Sequence, residues 1–85
     1  MNVLIITMFS YALEKQKALV RQKMYINEVE DFSIHAVKAL PDEIEKKLQG
    51  RQYDYAYIDI FYDASEVGKI RDHIHGMQNK QIERF

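Results

Sequence analysis

Four polar side chains follow two apolar segments of this 85-residue chain, and they are the first candidates for chemistry. Thr7 and Ser10 come after the apolar residues 3–6, and Asp59 and Asp63 come after a segment rich in tyrosine and isoleucine. An aspartate at a strand end can accept a phosphoryl group or bind Mg²⁺. Hydroxyl groups beside a helix start can contact an anion. These four residues are therefore the candidate switch or anion site.

The surroundings of these residues weigh against a reaction. The loop after residue 6 has no glycine that would let backbone N–H groups approach a phosphate, and Met8 and Phe9 would crowd an anion. Asp59 alone supplies too little negative charge to hold Mg²⁺. In the alternative interpretation Ser10 and Asp63 cap helices and Asp59 ends a strand. We therefore expect no enzyme activity and no cofactor.

The histidines do not predict a metal site, and the chain has no cysteine. His73 and His75 are two positions apart, so on a helix they point to nearly opposite sides and cannot share an ion. His35 lies in a different segment. Because the chain cannot form disulfides, a cytoplasmic location is expected.

Tyrosines give a second set of candidate residues. The segment at residues 53–61 has a tyrosine at every second position, namely Tyr53, Tyr55 and Tyr57, which predicts that they share one face of a strand. Tyr62 follows directly after this segment. Tyrosine tolerates both water and apolar neighbours, so these four form a candidate interaction surface. The open alternative is that they pack in the core beneath an amphipathic helix.

The elements that must position these residues alternate between strand and helix. Strands are predicted at residues 3–6, 32–37 and 53–61, and the continuous apolar run of the first indicates burial on both faces. Helical patterns follow at residues 10–24, 40–48 and from Asp63 or Ser65 onward. This order predicts a small three-layer αβα fold with a parallel sheet of flavodoxin type, strand order 2-1-3 and the second strand at an edge.

The chain length predicts one domain, formed by residues 1–77, with residues 78–85 as an extension or a short fourth strand. In an open parallel sheet, ligands bind beyond the carboxyl ends of the strands, so the loops after the first and third strands should lie side by side. This edge is where a site is expected.

Charge and length restrict the partners. Twelve basic against thirteen acidic residues give a net charge of -1, which disfavours nucleic acid. No apolar segment approaches the ~20 residues that a membrane-spanning helix needs. A small sheet leaves edges open, so the expected partner is another protein or a second copy, and no small-molecule substrate is identified.

Several segments together resemble the IIB components of the sugar phosphotransferase system and the IIB-like domains of Mga-like bacterial transcription regulators. They are residues 2–7 (NVLIIT), the helix at 10–24, residues 40–48 (LPDEIEKKL) and residues 53–58 (YDYAYI), and the resemblance spans residues 2–75. Active IIB enzymes of this type carry a phosphorylated cysteine where Thr7 stands here. The resemblance therefore implies a degenerate regulatory domain that acts by protein contact, with a sugar phosphotransferase phosphocarrier as one alternative.

A second resemblance is to the receiver domain of response regulators. Residues 53–61 (YDYAYIDIF) are similar to the third receiver strand, which would make Asp59 the phosphoacceptor, and residues 66–71 are similar to the next helix. Receivers carry a pair of acids where Ile6 and Thr7 stand, and the lysine-bearing strand further on is missing. A phosphoacceptor switch at Asp59 is therefore the other alternative function.

Overall fold

A parallel sheet organises the chain, of which a computed structural model describes residues 1–9, 13–48, 52–74 and 82–84. Its strands are β1 (Asn2–Thr7), β2 (Ser33–Lys38), β3 (Tyr55–Ile58) and β4 (Ile82–Arg84), in the order β2-β1-β3-β4. The predicted parallel arrangement, the order 2-1-3 and the edge position of β2 are confirmed. Ile82–Arg84 adds a fourth strand, parallel to β3.

Helices cover both faces of this sheet. They are α1 (Leu13–Ile26), α2 (Ile44–Leu48, preceded by a 3₁₀ turn at Pro41–Glu43) and α3 (Ala64–His73). One apolar cluster joins α1 to one sheet face, and a second joins α2 and α3 to the other. The architecture is a three-layer αβα fold of flavodoxin type, as predicted. Within the described residues, no helix has the length and apolar character needed to cross a bilayer.

Strand β1 explains why both faces must be covered. All four side chains of residues 3–6 are fully buried. Side chains alternate between the two faces of a strand, so Val3 and Ile5 pack toward α1 while Leu4 and Ile6 pack toward α2 and α3. A strand with no polar face cannot lie at the surface, and this places β1 in the interior of the sheet.

The start of α3 is set by a capping box. The Asp63 carboxylate accepts a hydrogen bond from the Glu66 backbone N–H at 2.8 Å, and the Glu66 carboxylate accepts one from the Asp63 N–H at 2.8 Å. This confirms Asp63, rather than Ser65, as the cap. The reciprocal bonds satisfy two backbone donors that a helix start leaves without partners.

The end of α1 is fixed by a Schellman turn. The Val29 N–H donates to Met24 O at 2.9 Å, and the Glu28 N–H donates to Tyr25 O at 3.0 Å. Val29 also packs in the apolar cluster that contains Met24. The turn requires a left-handed residue, and Glu28 takes that conformation with φ 61° although glycine is the residue that adopts it without strain. Glu28 therefore carries local backbone strain.

Replacing Glu28 with glycine should stabilise the fold. A non-glycine residue in the left-handed region costs about 1–2 kcal/mol, and the greater freedom of glycine in the unfolded chain returns part of this. We expect Glu28→Gly to raise the free energy of unfolding by about 0.5–1 kcal/mol in urea titrations followed by circular dichroism. Glu28→Ala keeps the Cβ and should give no gain; an equal gain from both variants would contradict the strain.

Candidate functional site

A buried polar pair lies at the carboxyl edge of the sheet, where β1 and β3 end. The register pairs Ile6 with Ile58, so Thr7 and Asp59 follow on adjacent strands. The Thr7 hydroxyl donates to the Asp59 carboxylate (Oγ1 to Oδ2) at 2.7 Å. Thr7 is 0% and Asp59 is 3% exposed. The structure thus brings together two of the four residues of the predicted switch or anion site.

Each member of the pair also holds the loop that follows it. The Thr7 hydroxyl accepts a hydrogen bond from the Phe9 N–H at 3.1 Å, and the second Asp59 oxygen accepts one from the Phe61 N–H at 3.0 Å. The same hydroxyl lies 2.9 Å from Phe9 O, but it has one proton, which goes to the closer, charged carboxylate. The pair therefore ties both loops to the ends of the two central strands.

Thr7 and Asp59 are hydrogen-bonded in the way that a nucleophilic hydroxyl and its general base would be, but a substrate cannot reach them. A carboxylate that accepts a hydroxyl proton can activate that oxygen for attack. Here Thr7 is closed to solvent, and both Asp59 oxygens already accept hydrogen bonds. In this conformation neither group presents a face to a phosphodonor. What the arrangement does is hold two loops in place.

The other two members of the predicted site do not join the pair. Asp63 is exposed and uses its carboxylate to cap α3. Ser10 lies outside the described residues, as do His75 and the predicted boundary between residues 77 and 78. In the described part of the chain, no group of three or more histidine, aspartate or glutamate side chains could hold a metal ion.

The tyrosines require a correction. Tyr53, Tyr57 and Tyr62 are buried and Tyr55 is half-buried, so they pack in the core instead of forming an exposed surface. Nor do Tyr53, Tyr55 and Tyr57 share a face, because Tyr53 packs on the α2–α3 side of the sheet whereas Tyr55 and Tyr57 pack on the α1 side. The chain bends at Asp54, whose N–H donates to Asn2 O at 2.8 Å, and this bend interrupts the alternation.

Tyr62 has a role that sequence patterns did not indicate. Its hydroxyl donates to Ala39 O at 2.5 Å, which joins the loop after β3 to the end of β2. Burial, and then the negative charge of Asp59, raise the pKa of this phenol, so it remains a neutral donor. The Arg84 guanidinium of β4 donates to Ile60 O and Tyr62 O in the same loop. No periodicity marks Tyr62, so only the three-dimensional structure identifies these contacts.

Apolar side chains extend outward from the same loops. The rings of Phe9 and Phe61 meet edge to face, with centroids 5.3 Å apart, and they are 43% and 55% exposed. Ile60 beside them and Leu40 after β2 are also exposed. We call Phe9, Leu40, Ile60 and Phe61 the carboxyl-edge surface. Sequence reasoning treated Phe9 only as an obstacle to anions; the signal it missed was large apolar residues in loops.

In comparisons with known proteins, the chain matches no family model, no curated protein and no solved structure. A proposal for the function of this chain therefore rests on the geometry of the carboxyl edge.

Thr7→Val should destabilise the fold because it removes the hydroxyl while keeping the side-chain shape. The buried Asp59 oxygen then loses a hydrogen bond that water cannot replace. We expect a loss of about 1.5–3 kcal/mol in the free energy of unfolding, measured by urea titration.

Thr7→Ser is the matched control, because it keeps the hydroxyl and removes one methyl group. Its expected loss is about 0.8 kcal/mol. If the valine variant were as stable as the serine variant, the hydrogen bonds that join the Thr7 hydroxyl to Asp59 and Phe9 would contribute nothing.

Proposed function

We propose that this chain is a non-catalytic regulatory module that acts by protein contact through the carboxyl-edge surface. The observation that carries this proposal is the exposed aromatic pair, Phe9 and Phe61, on the two loops that the buried Thr7–Asp59 pair holds. The Thr7 hydroxyl and the Asp59 carboxylate are enclosed, and large apolar side chains face solvent beside them. Such an edge suits association better than chemistry.

The backbone at Phe9 and at Phe61 is held in place by hydrogen bonds within the chain, before any partner binds. The Phe9 and Phe61 backbone N–H groups are both bonded to the buried pair, and Arg84 donates to the loop after β3. Binding by an ordered surface loses little conformational freedom, which leaves more of the gain from apolar burial for affinity. The hydrogen bonds that close the edge to chemistry thus favour its use as a contact surface.

The occupant we propose is a second copy of the chain. A two-fold axis places the same patch on both subunits, so one aromatic pair can pack against its equivalent. A net charge of -1 produces little repulsion between copies. A domain this small also gains from covering apolar surface that it cannot bury alone.

The resemblance to IIB-like domains supports a cytoplasmic role within a bacterial regulator. In that role the domain cannot transfer phosphoryl groups, because Thr7 stands where active IIB enzymes carry the phosphorylated cysteine. Its remaining function is to bind another protein. The two alternatives require a group that is now enclosed to become accessible: Asp59 in a receiver-like switch, or the Thr7 hydroxyl in a phosphocarrier.

Incubation with acetyl phosphate and Mg²⁺, followed by intact-mass analysis, separates the proposal from the receiver-like switch. We expect no phosphoryl adduct, because Asp59 is buried and both its oxygens are bonded. A stable adduct on the wild-type chain that Asp59→Asn abolishes would overturn the non-catalytic proposal. Transfer of label from general phosphocarrier proteins onto Thr7 would overturn it in favour of a phosphocarrier.

Sedimentation velocity over a range of protein concentrations tests the contact surface. We expect a reversible dimer whose dissociation constant rises at least about tenfold in Phe61→Ser, because aromatic anchors carry much of an interface's energy. The bond from the residue 61 N–H to Asp59 involves the backbone, so this variant keeps it.

Leu19→Ser is the matched control, since Leu19 is similarly exposed but lies on α1. It should dimerise like the wild-type chain. A wild-type monomer at every concentration, or equal weakening by the two variants, would reject the carboxyl-edge dimer.

A further inference from the structure

A second exposed apolar site lies at the opposite end of the sheet. Tyr25 and Ile26 close α1 and are 80% and 69% exposed, more than any other large apolar side chain in the described residues. Together with Glu28 and Glu30 they line a shallow cavity of about 530 Å³. We call these four residues the α1-end surface. Since α1 returns the chain from the end of β1 to the start of β2, this surface lies away from the carboxyl edge.

The local fold keeps these two apolar side chains in solvent. Met24, their neighbour in the same helical turn, is fully buried and fills the core position. The Schellman turn then ends the helix directly after Ile26 and fixes the path of the chain through Glu28. Tyr25 and Ile26 therefore cannot turn inward without loss of the helix end.

The rim of the α1-end surface is negatively charged. Glu28 and Glu30 are exposed, and neither forms an ion pair with a described residue. Asp31 is exposed as well, but the N-terminal ammonium group lies 3.4 Å from its backbone carbonyl oxygen. Lys23, the cation in the last turn of α1, is engaged by Glu83 at 2.8 Å. The negative end of the α1 helix dipole lies at the same turn. An apolar patch inside a negative rim complements a ligand that is both apolar and cationic.

We propose that the α1-end surface docks a basic amphipathic segment of a partner protein. Leucine-type anchors of such a segment cover Tyr25 and Ile26, and its lysine or arginine side chains face Glu28 and Glu30. An arginine can also stack on the Tyr25 ring. The negative rim repels anionic lipid and nucleic acid, so charge selects a protein segment over those two surfaces.

The strained Glu28 backbone agrees with this assignment. Glycine would satisfy the turn without strain, whereas glutamate keeps a carboxylate beside the apolar pair. Glu28→Gly should therefore unfold at a higher temperature than the wild-type chain and yet bind a basic segment more weakly. A variant that gains stability and loses binding separates a recognition role from a structural one.

The probe is a short fluorescein-labelled peptide of leucine and arginine with the spacing of an amphipathic helix, titrated with the full chain and followed by fluorescence anisotropy. A peptide with glutamate in place of arginine, and vesicles of phosphatidylglycerol, serve as comparisons. We expect saturable binding of the arginine peptide that weakens with added salt. Equal binding of the acidic peptide, preferential binding to vesicles, or no saturable binding would overturn the proposal.

Two double variants remove the same number of negative charges from different places. Glu28→Gln with Glu30→Gln should raise the dissociation constant of the arginine peptide about three- to tenfold. Glu45→Gln with Asp72→Asn changes two exposed acids on α2 and α3 and should leave it unchanged. An equal effect from the two doubles would mean that only net charge attracts the peptide, and would overturn the site.

Tyr25→Ala tests the apolar half of the surface. Because the side chain is 80% exposed, the variant should fold like the wild-type chain while binding the arginine peptide about tenfold more weakly. Unchanged affinity in this variant would also overturn the proposal. This test does not involve the carboxyl edge, so its result stands whether or not the chain dimerises there.

Discussion

The burial of β1 on both faces is the constraint from which the rest of the fold follows. Its four central side chains are apolar and fully closed to solvent, so each face must be covered by helix. That requirement puts α1 on one side and α2 with α3 on the other, and it places a neighbouring strand on each side of β1. Both strands run parallel to β1, which aligns their carboxyl ends at one edge.

This alignment also determines what the carboxyl edge can do. Where β1 and β3 end, the first polar side chains meet in a region already closed to water, and a buried carboxylate is tolerated only when its oxygens are bonded. Asp59 meets that condition through the Thr7 hydroxyl and the Phe61 N–H. The same two hydrogen bonds that offset the cost of burying the carboxylate also occupy both of its oxygens, so neither oxygen is open to a phosphodonor. The adjoining aromatic side chains then project outward, where they are available to a partner.

The sequence predicted the fold better than it predicted the site. Continuous apolar residues, alternating elements and the Asp63–Glu66 box are local signals, and they gave the parallel sheet, its order and the start of α3. The tyrosine row failed because one bend at Asp54 separates Tyr53 from the face of Tyr55 and Tyr57. A period of two is valid only while the strand continues.

Contacts between distant residues explain the rest of what was missed. Placing the loops after β1 and β3 side by side followed from topology, but the bond between Thr7 and Asp59 joins residues 52 positions apart. The bonds from Tyr62 to Ala39 and from Arg84 to the loop after β3 are likewise non-local. The sequence around either residue of such a pair does not indicate which distant residue it will bond. The exposure of Tyr25 and Ile26 could not be predicted for a related reason. The helical spacing of apolar residues does not show which turn of the helix is the last to contact the core.

The two surfaces lie at opposite ends of a rigid sheet, and this separation has a consequence for binding. Strand β1 spans the distance between them, with its side chains packed into both clusters, so neither end can shift far without disturbing the core. Changes at distant positions without shared partners usually have additive effects on free energy, and we expect the same of binding at these two surfaces. Occupation of the carboxyl edge should therefore neither block nor strengthen docking at the end of α1. A dimer formed at one edge would present two acidic, apolar surfaces facing outward, and a partner carrying two basic segments could then bind it with gain from multivalency.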